Sequence, residues 1–371
     1  MKEKNKIVFY VAESLYTGSG TQEWLERAVH ALEKKSEITI IHGTISDHRR
    51  WTERDVADRF PSSISIVEVP YFSFFGIVFF PHILYWKSII RSFRSARLVY
   101  MRYSVRLADP IAQFSALLFS KNVIFGFHGY FQYPFWKRIY FWLTAPIILY
   151  WASGCHTINT ATGPELLSRG ARRIFLIPNF VLDSFLPKKN EASYTGDLIF
   201  VGRNEYQKGV DLLAGALKKI QPGHPKIKVN FFGTGKQRPI IARLQKRFPN
   251  NIFDHGYERD KRKIFSNRKF LLLTSREEPF GLAVIEAMSY GVPVIATKTK
   301  GPMDILENGK DGILVADTTQ ESIAKAIEYA EGLSNSAWLE MSRHAYNKSR
   351  MRYTQRQFEE KFEQMLESLQ A

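Results

Sequence analysis

The sequence predicts an α/β protein of two similar αβα domains, each a mostly parallel sheet covered by helices on both faces. Three observations lead there. Strand-like apolar runs alternate with helical patterns along the whole chain, and the alternation restarts after a polar, turn-prone segment, NFVLDSFLPKKNEASYTGD (179–197). The length, 371 residues, also exceeds what one compact core ordinarily fills. The expected division is 1–185 and 186–349, with the linker at the boundary.

Parallel strands buried on both faces read as continuous apolar runs rather than alternating ones. Such runs lie at 7–12, 38–41, 64–67, 98–101, 123–127, 155–158 and 174–177, with helical patterns at 21–35, 82–96, 110–119 and 164–168 between them. Beyond the linker the strands fall at 198–201, 229–232, 270–274 and 292–296, and the helices at 210–219, 238–247, 283–290 and 323–333. The last helix, over about 355–369, is amphipathic. In open parallel sheets ligands bind outside the carboxyl ends of the strands, so the loops after strands are where function is sought.

Composition narrows the class. At 45% hydrophobic and 24% charged, with one cysteine, the chain is neither disordered nor a disulfide scaffold. The opening MKEKNKIVFYVAES is too short in apolar residues for a secretory signal, which leads to the expectation of a cytoplasmic protein. The longest hydrophobic stretch, 139–153, is interrupted by Thr144 and Pro146 and falls short of the roughly 20 residues a spanning helix needs.

The net charge of +16 is unevenly placed. Residues 71–150 carry nine basic side chains against the single acid Asp109, together with 24 of the 52 aromatic residues. On a helix through 82–96, Lys87, Arg91 and Arg94 share one face while Trp86, Ile89, Ile90 and Phe93 lie largely on the other. With Lys137 and Arg138, they are the expected contacts to an anionic membrane surface; no nucleic-acid module is recognisable and no nucleic-acid partner is expected.

The strongest local signal is SREEPFGLAVIEAMSYGVPVIAT (275–297), in which Glu278 and Glu286 are separated by seven residues, beginning with Pro279-Phe280-Gly281. A loop carboxylate, a glycine turn and a helix start offer free backbone N–H groups and a positive dipole end to an anionic ligand. Glu286, one turn into that helix, is placed to chelate a cis-diol such as ribose.

These residues resemble the GT-B-fold retaining glycosyltransferases of family 4 (glycosyl transferases group 1), which carry a Glu-x7-Glu element followed by Glu-Ala-Met and Gly-x-Pro-Val; here these are Glu286-Ala287-Met288 and Gly291-Val292-Pro293-Val294. FVGRNEYQKGVDLL (200–213), FFGTGK (231–236) and KGPMDILENGKDGILV (300–315) extend the resemblance through the C-terminal half. The N-terminal half is similar through Gly18-Ser19-Gly20, Phe127-His128-Gly129 and Ile177-Pro178-Asn179, and the chain departs from the family pattern at Ser19, Phe180 and Asp304.

The resemblance implies a GT-B fold, two Rossmann-like αβα domains with an interdomain cleft, the C-terminal helix over 350–371 packing back on 1–185, and transfer of a hexose-type sugar with retention from a UDP- or GDP-linked donor. It implies that Glu286 binds ribose and that Glu278 and the backbone of Phe280, Gly281 and Leu282 hold the donor sugar. Arg203 and Lys208 would grip the diphosphate, Gly18 and Gly20 would let the backbone approach a phosphate or acceptor, and His128 would lie near the reacting centre. No Asp-x-Asp and no metal-ligand spacing occurs in the sequence, so neither a metal nor a cofactor is expected. The expected acceptor is a lipid-linked glycan, in surface polysaccharide or glycolipid synthesis, reached by peripheral attachment to the inner face of a membrane. The alternatives are a non-catalytic GT-B subunit that docks a partner enzyme, or another GT-B enzyme such as a nucleotide-sugar epimerase. The remaining histidines, His156 among them, show no partner pattern in the sequence and receive no role.

Overall fold

The computed structural model describes residues 4–17, 20–45, 52–74, 77–103, 109–128 and 135–369. The chain forms two compact units, residues 1–178 together with 358–371, and residues 179–357. Each is organised about its own parallel sheet.

In the first unit the order along the chain is β1 (Asn5–Glu13), α1 (Gly20–Leu32), β2 (Ser36–Ile45), α2 (Glu53–Arg59), β3 (Ser65–Val69), β4 (Tyr71–Phe74), β5 (Ile77–Pro81), α3 (Trp86–Ser95), β6 (Leu98–Arg102), α4 (Asp109–Phe119), β7 (Val123–Phe127), α5 (Phe135–Trp151), β8 (Gly154–Thr157), α6 (Thr162–Ser168) and β9 (Ile174–Leu176). Seven of these strands make one sheet in the order β3-β2-β1-β6-β7-β8-β9, every pair parallel. Its central strands are apolar on both faces, as burial by helices on each side requires: Ile7, Phe9, Leu98, Val99, Ile124 and Phe125 are all buried. The aromatic run that opens the basic window is an antiparallel hairpin of β4 and β5 apart from the main sheet, a local pairing that the apolar pattern did not announce.

The second unit runs β10 (Asp197–Val201), α7 (Val210–Ile220), β11 (Val229–Phe232), α8 (Arg238–Arg247), β12 (Ile252–Gly256), α9 (Lys261–Phe265), β13 (Arg268–Leu273), α10 (Leu282–Ser289), β14 (Val294–Thr297), α11 (Lys300–Ile305), β15 (Gly312–Val315), α12 (Gln320–Glu331) and α13 (Asn335–Arg352). Its six strands are ordered β12-β11-β10-β13-β14-β15 and are also parallel throughout. Phe200, Phe231 and Phe270 from adjacent strands meet Leu213, Leu217, Ile241, Ile327 and Trp338 in one core. The strand order reverses at β1/β6 in the first sheet and at β10/β13 in the second, and ligands of such sheets bind beyond the strand ends at these switch points.

The last helix, α14 (Gln355–Ser368), buries Phe358, Phe362, Met365 and Leu366, a stripe at helical spacing. It packs on the first unit: Phe358 meets Trp24 edge to face at 6.4 Å, Glu363 pairs with Lys35 at 3.2 Å, and Arg173 donates to the Ser368 carbonyl at 2.9 Å. Pro146 lies inside α5, and among the described residues no helix is long and apolar enough to cross a membrane.

Because Phe362 is fully buried in this contact, Phe362→Ala is expected to destabilise the chain by about 3–5 kcal/mol. Urea unfolding of the full chain, followed by circular dichroism, measures this.

Candidate active site

The second unit's switch point is flanked by the loop after β10 and the loop after β13, and hydrogen bonds and ion pairs tie the two together. Arg203 is exposed on the first loop, with its guanidinium 3.4 Å from the Gln207 side-chain oxygen. Lys208 ends a 3-10 turn over Tyr206–Lys208, and its ammonium makes a close ion pair with the Glu278 carboxylate. Gln207 donates to the Glu277 carbonyl at 3.3 Å, and the Thr274 hydroxyl donates to the Gly209 carbonyl at 3.1 Å.

Arg276 completes the clamp. It grips Asp211 through two hydrogen bonds of 2.8 and 2.6 Å, donates to the Tyr206 carbonyl at 2.7 Å, and lies 3.7 Å over the Tyr206 ring. Hydrogen bonds from this guanidinium hold the Asp211 carboxyl below its ordinary range, and Asp211 in turn raises Arg276. The glycine-rich turn 231–236 joins on the other side, where Asn204 donates from its backbone to the Thr234 carbonyl at 2.9 Å and from its side chain to the Gly233 carbonyl at 3.0 Å.

Beyond Glu278 the chain turns into α10 through Gly281, whose φ of +98° is left-handed and whose added Cβ would lie 2.9 Å from Val284. Among the described residues no side chain caps this helix start, so the positive end of α10 faces the loop through its backbone. The Phe280 side chain is buried against Tyr353, with ring centroids 6.0 Å apart, which leaves its backbone for any contact with a ligand. Glu286 lies one turn further, its carboxylate almost wholly buried and 3.0 Å from the Lys261 ammonium. Lys261 also sits 5.9 Å from the centre of the Phe185 ring.

The second unit thus gathers Arg203, Lys208, Glu278, the 280–282 turn and Glu286 onto two neighbouring loops and one helix start. Sequence reasoning missed Lys261 and Arg276. Arg276 stood inside the motif as an ordinary loop cation, while Lys261 belongs to a five-residue helix with no signal of its own.

His128 belongs to the first unit, directly after β7. It is half-buried and its Nε2 lies 2.7 Å from the Tyr100 hydroxyl. That hydroxyl lies 2.6 Å from His156 Nδ1, and His156 Nε2 lies 2.7 Å from the Ile177 carbonyl. Burial above all, then the neighbouring His156 and Arg102, hold His128 well below the usual imidazole range, and burial pushes His156 down to about 4. His156, given no role from sequence, is therefore partnered on both nitrogens.

Of the remaining candidates, Gly20 opens α1, and Gly18 lies outside the described residues. Lys87, Arg91 and Arg94 are exposed on α3 as the helical spacing requires. Lys137 and Arg138 fall on α5, with side chains outside the described residues. Among the described residues no group of three or more His, Cys, Asp or Glu is placed to hold a metal ion.

Residues 184–350 match the family described as Glycosyl transferases group 1. A glycogen synthase of Pseudomonas syringae pv. syringae (strain B728a) is 31% identical over 168 residues, 42% of this chain and 35% of that protein. The chain spans about a third of the length of the glycogen synthases it matches. Among solved structures, the Anabaena protein HepE in complex with UDP and glucose superposes with a TM-score of 0.76 at 14% identity, over 98% of this chain and 99% of that one. The lipopolysaccharide outer core galactosyltransferase WaaB superposes at 0.68 with 16% identity, over 98% and 99%. The chain has the GT-B fold, and its residues 184–350 are similar to the glycosyl transferases group 1 family over a little under half of its length.

Proposed function

We propose that the chain is a retaining glycosyltransferase of family 4 that moves a hexose-type sugar from a UDP- or GDP-linked donor to a membrane-associated, lipid-linked glycan. The observation that carries this reading is the pairing of Lys208 with Glu278 beside the open start of α10. A nucleotide sugar needs cations for its diphosphate and acceptors for its hydroxyls at adjacent points, and this pair supplies one of each. UDP and glucose, the ligands held by the Anabaena protein, are of the class such a site suits.

As the glycosidic bond breaks, positive charge grows on the sugar ring and negative charge on the leaving diphosphate. Lys208 acts there as a point charge, Arg203 as a planar fork, and the helix start adds a partial positive charge. Together they take the place of a metal. Glu286, oriented by Lys261, accepts the ribose hydroxyls, and Glu278 accepts those of the donor sugar. In this reading His128 acts on the sugar as a hydrogen-bonding group.

The membrane part of the proposal rests on three neighbouring helices. Lys87, Arg91 and Arg94 on α3 are all exposed; α4, packed beside it, exposes Ile111, Phe114 and Leu118. Next to α4, helix α5 exposes Leu143, Ile147, Tyr150 and Trp151, spaced as one helical face. A basic edge beside an apolar, aromatic face suits an anionic bilayer surface, and on this reading the enzyme works at the inner face of a membrane.

Titration calorimetry with UDP and with GDP, without added metal and with a chelator present, is expected to show saturable binding of one of them. Arg203→Ala and Lys208→Ala are each expected to weaken it by at least about tenfold. If neither nucleotide binds the unaltered chain, the transferase reading fails, and if binding requires a divalent ion the metal-free part of it fails.

Replacing Lys87, Arg91 and Arg94 with Gln is expected to lower affinity for phosphatidylglycerol vesicles by about two orders of magnitude, at roughly 1 kcal/mol for each basic residue near the surface. Equal sedimentation of the variant and the parent with these vesicles would remove α3 from the contact.

The neutral histidines make stability depend on pH. His156 in the unfolded chain binds a proton near pH 6.5 but in the fold only near 4, so the unfolded state binds more protons in between. Stability therefore falls as pH drops through about 6.5 and the loss is complete below about 4, amounting to about 3 kcal/mol for this group. Chemical unfolding at pH 7 and pH 5 is expected to show the decline in the parent and a shallower one in His156→Gln.

A further inference from the structure

The hydrogen bonds around Tyr100 admit one arrangement of protons. A backbone carbonyl only accepts, so His156 Nε2, 2.7 Å from the Ile177 oxygen, carries its proton. His156 is neutral in this buried setting, which leaves Nδ1 an acceptor. The Tyr100 hydroxyl, 2.6 Å away, donates its only proton to that Nδ1. The same oxygen lies 2.7 Å from His128 Nε2 and, its proton committed, must accept from it. His128 is thereby Nε2-protonated, and its Nδ1 keeps a bare lone pair.

That Nδ1 is buried and has no hydrogen-bond partner among the described residues, while the Trp24 ring packs on the imidazole with centroids 4.2 Å apart. The backbone is shaped to let the relay through. A Cβ on Gly126 would stand 1.9 Å from the Tyr100 hydroxyl oxygen and 2.8 Å from His128 Nε2, so only glycine at this point in β7 lets the two side chains meet. Tyr100, Gly126 and His156 come from three adjacent strands, β6, β7 and β8.

We propose that Tyr100 and His156 are positioning residues that hold His128 in its Nε2–H tautomer, so that Nδ1 is presented as a hydrogen-bond acceptor to a hydroxyl of the sugar substrate. The identity of that hydroxyl rests on the transferase reading; the tautomer does not. An isolated imidazole exchanges between two tautomers and can offer a donor or an acceptor at the same nitrogen. The relay removes the donor form at Nδ1, so His128 accepts from the substrate there and cannot protonate a leaving group from that atom.

The test is a long-range proton–nitrogen correlation spectrum of the full chain labelled with 15N-histidine, with His128 and His156 assigned by the signals lost in His128→Gln and His156→Gln. The expected result is a pyrrole-type Nε2 and a pyridine-type Nδ1 for both. In Tyr100→Phe the His128 signals are expected to move toward the average of two tautomers. Turnover of UDP-glucose, or of a GDP-hexose if GDP is the nucleotide bound, is expected to fall about tenfold in kcat with little change in the donor KM. His156→Gln is expected to act in the same direction.

A protonated Nδ1 on His128 in the parent chain overturns the proposal, as does a His128 signal unmoved by Tyr100→Phe. An unchanged kcat in Tyr100→Phe overturns the positioning role. The parent spectrum needs no variant to fold, and it decides the tautomer even if no sugar nucleotide is turned over. That failure would instead count against the transferase reading, and nucleotide titration reports on it separately.

Discussion

A buried carboxylate needs a cation or a set of hydrogen bonds beside it, and the second unit meets this requirement twice within one short stretch of chain. Glu278 takes Lys208 and Glu286 takes Lys261, with all four side chains largely withdrawn from water. Each pair joins segments that are distant in sequence, and to withdraw one partner would strand the other charge in a medium that solvates it poorly. The courses of the loops after β10 and β13 and the placement of α9 are therefore linked. The Arg276–Asp211 fork adds a third tie between the same two loops. Groups held this firmly before a ligand arrives need little reorganisation when charge moves among them, which is the physical condition for electrostatic catalysis.

The first unit meets a similar demand with neutral groups. His128 and His156 are both kept uncharged by burial, and a tyrosine hydroxyl links them. A neutral chain of hydrogen bonds transmits orientation rather than charge, because each group's proton fixes the next group's lone pair. Where an ion pair tolerates small shifts in geometry, this relay requires three side chains and a glycine to agree. Within the second unit charges are paired at the switch point, and within the first, neutral groups are paired through one hydroxyl.

The sequence made some of this legible and concealed the rest for a consistent reason. The Glu278 to Glu286 segment could be read because its parts are local: a strand end, a turn glycine and a helix face follow one another in the chain. Most strands of both sheets were legible because two-sided burial makes them continuous apolar runs. Partners were not legible. Lys208 and Glu278 are 70 residues apart, Arg276 and Asp211 are 65 apart, and Tyr100 and His156 are 56 apart. No local pattern marks a tyrosine in an apolar strand as the centre of a hydrogen-bond chain. Elements with mixed or polar composition also escaped, among them β12, which contains Asp254 and His255, and α13, whose exposed faces dilute its apolar stripe.

The same contrast explains why similarity in sequence and similarity in fold differ in extent. The family match ends within residues 184–350, whereas solved structures superpose over 98% of the chain at 14–16% identity. Matching a fixed pattern of charges demands particular residues at particular points, since Lys for Glu at position 278 reverses an interaction rather than weakening it. A helix that covers a sheet needs only apolar residues at the right spacing, and many sequences satisfy that. The first unit's sheet needs only apolar strands and apolar helix faces to hold its shape, so its outer helices carry basic and aromatic surfaces without disturbing the core. At Gly126 that latitude ends: it sits within a buried strand, where glycine weakens the fold, and the Tyr100 hydroxyl occupies the space a side chain would fill.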